Sequence, residues 1–315
     1  MTTNTQNSLI FKINENTIPP DKRQNFFDEV DKINSKNYIF GNDVLYSIFQ
    51  KHEILSTNLD DDSINRFGSA IWLIGRSYSA SPERRNNATS TDDGLGNFFF
   101  DLANHIMSNS KYKDFLEKLK SLTNQPYQYN YTDEDITILF NSVKCVKLFN
   151  EIIIEGIQKI DSTDTDQKSE NKNSSSRDNL SFCSKFLHFY NPHIFFIKDT
   201  FSFDGAISLF TGNKKNITFN NCKDLNECTL KKIFSNVSLN YAEIDQKAEY
   251  FDLYCKKSLS KTENSIRLYL QHVLRAYAVA RLLNHNKRNC CQQVCDNATS
   301  QYMPRLVDSI LMRIK

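Results

Sequence analysis

A chain of 315 residues with 39% hydrophobic side chains can build one large domain or two lobes around a substantial core, and is too apolar for a disordered segment. Eight Gly and six Pro argue against all-β folds and phosphate-cradling loops, which need many positive-φ positions, while 23 Phe and 14 Tyr supply large areas for burial. The net charge of +2 excludes a polycation, yet residues 261–315 carry nine Lys/Arg against three acids, so a basic C-terminal region is either a polyanion-binding face or a solvated helical surface.

No secretory core segment and no apolar run of membrane-spanning length occurs, so a cytoplasmic protein with no membrane partner is expected. Its eight cysteines read as reduced thiols. Cys290, Cys291 and Cys295 crowd together without a C-x-x-C pair, and neither a metal site nor another cofactor is expected.

In chain order, Leu9 to Ile13 alternates and reads as a short N-terminal strand. Asp21, after Pro19-Pro20, starts a helix to about Lys36. Helices follow over Asp43–His52 and Ile64–Ser79, the latter burying Phe67, Ile71, Trp72, Ile74 and Gly75. Two more span Asn97–Ser108 and Lys111–Leu122. Asp133–Ile160 reads as one long helix with apolar residues at helical spacing. Residues 161–179 hold no apolar side chain and predict a flexible loop. Leu180–Tyr190 is a helix stopped by Asn191-Pro192. His193–Lys198 is extended, and Ser202–Phe210 is helical up to Gly212. Shorter helices are expected within 213–260. Glu263–Leu283 is apolar on nearly every side and therefore central, and Pro304 opens a last helix to Ile314. The expected architecture is all-α: a two-lobed single domain with a central cleft. Its parts are an N-terminal lobe (1–160), the polar loop (161–179) and a C-terminal lobe (180–315).

The stretch from Ser181 to Asp199 carries the candidate chemistry. At 100° per residue, Ser181, Ser184, Lys185 and His188 share one arc of the 180–190 helix, and aromatic and aliphatic side chains cover the rest. Such a polar stripe faces solvent, a partner or a cleft. An aromatic-rich segment then delivers Asp199 to the start of the next helix, where it either caps that helix or presents a reactive carboxylate. Lys185 reads as a solvent-facing lysine or a nucleophile. His188 reads as a satisfied buried histidine or a proton carrier.

The pattern S-K-F-L-H-F-x-x-P-x-x-F-x-I-x-D resembles a segment of the helix-hairpin-helix DNA glycosylase superfamily, and is most similar to bacterial proteins with the 8-oxoguanine DNA glycosylase fold. The segments Pro304–Met312 and Trp72–Arg85 resemble parts of the same kind of chain, and together the three cover under a fifth of the sequence. The resemblance implies excision of a damaged or modified base, in repair or in defence against phage, with DNA as the partner. It implies that Asp199 stabilises the oxocarbenium-like sugar or orients water, and that Lys185 forms a Schiff base in a lyase-active enzyme. The superfamily lysine usually stands nearer the helix start, where Leu180 and Ser181 are here. A Lys185 that points elsewhere therefore implies a monofunctional enzyme. The usual hairpin glycines are replaced by the polar loop 161–179.

Arg76, Arg84 and Arg85 flank a loop at a helix C-terminus, where cations are favoured by the dipole and where phosphate contact is the functional alternative. With Tyr78, Trp72, Ser181, Ser184 and His188 they complete the candidate DNA-binding set. Trp72 reads as core, with stacking on a flipped base as the alternative. Arg267, Arg275 and Arg281 share an arc with leucines and read as paired or snorkelling side chains. Two other functions fit the same sequence: a nucleic-acid-binding protein without catalysis, and a helical protein-interaction module.

Overall fold

The computed structural model describes residues 22, 24–29, 40–82, 92–122, 127, 129, 133–163, 178–211, 261–290 and 303–314. Among these the chain is mostly helical and contains no strand. The helices with full bounds are α1 (Phe40–Lys51), α2 (Asp61–Ser77), α3 (Asp92–Met107), α4 (Tyr112–Leu122), α5 (Asp133–Thr163), α6 (Leu180–Tyr190), α7 (Thr200–Thr211), α8 (Lys261–Cys290) and α9 (Met303–Leu311). Helix also covers residues 24–29. Among the described residues no helix is long and apolar enough to cross a membrane. The expected strand at Leu9–Ile13, the short helices of 213–260, the loop residues 164–177, Cys291 and Cys295 lie outside the described residues.

The chain forms two compact units, interleaved along the sequence. One comprises Ile39–Pro126 and Phe140–Phe195, the other Met1–Tyr38, Tyr127–Leu139 and Phe196–Lys315.

The first unit holds α1 to α4, α5 from Phe140 onward, and α6. Asp60 caps α2 by accepting a hydrogen bond from the Ser63 N–H at 2.7 Å, which holds its carboxyl below the usual range. Phe67, Ile71, Ile74 and Gly75 are buried, as the helical period predicts. Trp72 is not: it is 46% exposed. It stands about 140° around the helix from Phe67, off the buried arc, so its size did not bring it into the core. The core is aromatic instead. Phe149 stacks on Phe115 (5.0 Å between centroids), and Phe186 meets Phe49, Phe67 and Phe149 at 5.2 to 5.6 Å.

In the second unit, every residue from Gln271 to Ala280 of α8 is buried, in agreement with its all-round apolar sequence. The helices α7 and α9 pack together and both touch α8. A Cβ on Gly205 would stand 1.8 Å from the Leu311 carbonyl oxygen, so only glycine permits this approach of α7 to α9. Arg275 is fully buried, and the Tyr277 hydroxyl donates to the buried Asp135 carboxylate at 2.7 Å. On α9 an ion pair joins Arg305 to Asp308.

Candidate active site

Within the stretch Ser181–Asp199, the residues up to Phe195 belong to one compact unit and those from Phe196 to the other. The two ends of the stretch differ in kind. Helix α6 begins where the Asn179 N–H donates to Asn150 Oδ1 at 2.8 Å and ends where Asn191 turns the chain, its Oδ1 accepting from the His193 N–H at 3.3 Å. Between these points every residue from Phe182 to Phe189 is buried. The expected polar stripe therefore does not face solvent.

Each polar side chain on that stripe is accommodated internally. The Ser184 hydroxyl donates to the Ser181 carbonyl at 3.1 Å. His188 is fully buried, with Nδ1 2.9 Å from the Phe195 carbonyl and Nε2 2.6 Å from the Tyr46 hydroxyl. A carbonyl only accepts, so Nδ1 carries a proton, while Nε2 pairs with the Tyr46 hydroxyl. Both ring nitrogens have a partner, as expected for a structural histidine. Lys185 is 2% exposed, and its Nζ lies 5.5 Å from the centroid of the Tyr78 ring. That is within the range of a cation–π contact. Tyr78 itself follows α2 and packs on Phe189 at 5.5 Å.

The Asp199 end is half-exposed. Asp199 Oδ1 accepts from the Phe201 N–H at 3.0 Å, and the Asp199 N–H donates to Ser202 Oγ at 3.2 Å. The Asp199 carbonyl takes the first helical bond, from Phe203 N–H at 2.9 Å. These reciprocal bonds make Asp199 the cap of α7. The cap fixes the carboxylate at a helix N-terminus while leaving it within reach of solvent. Beside it, Phe201 is 59% exposed.

Of the remaining candidates, Arg76 is half-buried in the last turn of α2, where the helix dipole favours it, and Ser181 is half-buried at the start of α6. Arg84 and Arg85 lie outside the described residues. Ser184, Lys185 and His188 are buried and Tyr78 is half-buried, and the rings of Tyr78, His188 and Tyr46 all meet Phe189. Three residues near Asp199 went unread in the sequence: Phe201, Tyr269 and His272. The last two stand one turn apart on α8, polar groups on an otherwise buried face, and that interruption was the available signal.

No family model, curated protein or solved structure matches this chain.

Proposed function

We propose that this chain is a monofunctional DNA glycosylase-like enzyme that removes a damaged or modified base by hydrolysis, in repair or in defence against phage. The observation that carries the reading is the contrast between a carboxylate that is fixed yet accessible at Asp199 and an amine that is enclosed at Lys185. A Schiff base requires the lysine nitrogen to reach C1′ of a deoxyribose, and a 2% exposed side chain under a tyrosine ring does not. Hydrolysis needs only the carboxylate and water.

In that reaction the N-glycosidic bond breaks with its electron pair leaving on the base, which takes a proton from water. Positive charge develops on the sugar, and Asp199 stabilises it. A water then attacks C1′, its proton passing to the Asp199 carboxylate and on to the hydroxide left by protonation of the base, so that one water is consumed and an abasic sugar results. The base must first leave the stack, and the exposed Phe201 beside Asp199 is suited to stacking on nucleobases. DNA is the partner this chemistry requires, and a cytoplasmic setting accords with it.

Asp199→Asn tests the reading cleanly because asparagine caps helices as well as aspartate does. Base release from duplexes carrying modified bases is expected to fall by about 100-fold or more, with DNA affinity and its salt dependence retained. A wild type that leaves no abasic site on any such duplex makes the protein a binder without catalysis. The absence of salt-sensitive DNA binding makes it a helical protein-interaction module.

A further inference from the structure

Residues 196–199 have no helical or strand bonding of their own before α7 begins at Thr200. Their backbone groups need other partners. Two come from one buried helix. The Tyr269 hydroxyl donates to the Phe196 carbonyl at 3.2 Å, and His272 Nε2–H donates to the Ile197 carbonyl at 2.7 Å. Both side chains are fully buried and stand one turn apart on α8. The His272 ring also meets Phe203 of α7 at 5.9 Å. One imidazole thus holds the chain two residues before Asp199 and four residues after it.

We propose that His272 and Tyr269 are positioning residues for Asp199: they fix the segment from which α7 starts, and so fix where the carboxylate stands. The catalytic consequence rests on the glycosylase reading, whereas the positioning does not. The charged groups around His272 are compatible with a ring that stays neutral at pH 7. Burial, Lys198 and Arg275 disfavour its protonation, while the Ile197 carbonyl and Asp199 oppose them, and the net result is a value of about 4. The Nε2–H tautomer is then held by the carbonyl, and Nδ1 has no hydrogen-bond partner among the described residues.

The test uses the full chain with three variants. His272→Phe keeps a ring and loses the donor; His272→Gln restores a donor near the Nε2 position. Tyr269→Phe removes only a hydroxyl and serves if His272→Phe does not fold. Amide hydrogen exchange is read at Phe201 and Phe203, whose N–H groups bond Asp199 Oδ1 and the Asp199 carbonyl. Exchange at both is expected to quicken about tenfold or more in the two Phe variants and to return toward wild type in His272→Gln. In base release, kcat should fall about tenfold or more with KM within about threefold, again restored by Gln. Unchanged exchange in the folded variants overturns the positioning, whatever the activity. Altered exchange alongside an unchanged kcat overturns its catalytic consequence. Altered exchange in a protein whose wild type releases no base supports the positioning and removes the excision reading instead.

Discussion

Lys185 and Asp199 lie fourteen positions apart in one stretch of sequence, and their surroundings have little in common. Around Lys185 the helix is buried: the adjacent Phe186 meets Phe49, Phe67, Phe149 and Phe182, the Lys185 amine lies over the Tyr78 ring, and Ser184 and His188 each have a partner. Around Asp199 the chain emerges half-exposed, with backbone bonds holding the carboxylate and an exposed phenylalanine alongside. The difference teaches that a polar arc on a helical wheel records hydrogen-bonding demand, not exposure. Burial is decided by what the other helices bring to that face.

The sharpest way to sharpen this contrast is to remove the centre of the sealed region. Phe186 lies within 5.8 Å, centroid to centroid, of Phe49, Phe67, Phe149 and Phe182. Phe186→Ala is expected to cost about 3–5 kcal/mol in urea unfolding, since the transfer loss is compounded by a cavity that rigid rings fill poorly. A loss under about 1 kcal/mol would mean that α6 is not a core element.

The Asp199 region has its own thermodynamic mark. His272 titrates near its ordinary value of 6.5 in the unfolded chain and at about 4 in the folded one. The unfolded state therefore binds a proton first as pH falls. Stability from this residue is intact above pH 6.5, declines between about 6.5 and 4, and is lost below, by an amount on the order of 3 kcal/mol. Burial lowers His193 in the same direction, but that contribution is common to wild type and His272→Gln. The difference between the two pH–stability curves isolates His272, and parallel curves would contradict its burial.

Lys185→Met separates the two regions functionally. With the amine enclosed, base release should stay within about threefold of wild type, and borohydride should trap no covalent adduct with DNA. An adduct that disappears in Lys185→Met would return the lysine to the reaction and break the contrast.

Helical periodicity made much of the fold legible. The 3.6-residue repeat located α5, and the unbroken apolarity of α8 announced its buried middle. The stop at Asn191-Pro192 and the cap at Asp199 were legible because capping is local chemistry carried by side chains a few residues apart. What stayed illegible depends on residues far away in sequence. That Tyr46 would reach His188, Tyr78 would cover Lys185, and Tyr269 and His272 would hold carbonyls more than seventy positions earlier could not be read from any window. The interleaving of the two compact units has the same origin: segments distant in sequence share a core.

Trp72 supplies the smallest expected effect and the simplest check on the inside and outside of α2. It is the chain's single tryptophan and nearly half of it faces solvent, whereas its neighbours Ile71 and Ile74 are fully buried. Large apolar side chains are often assigned to cores by size alone, but an isolated exposed one is ordinary. Trp72→Ala should therefore change stability by no more than about 0.5 kcal/mol, while Ile71→Ala, one position away, should cost about 2–5 kcal/mol. The indole also reports directly. Native fluorescence should already be red-shifted and open to acrylamide quenching, and unfolding should move it little. A blue-shifted, quencher-resistant native spectrum would put Trp72 back inside, and the buried arc of α2 would then have to be redrawn around it.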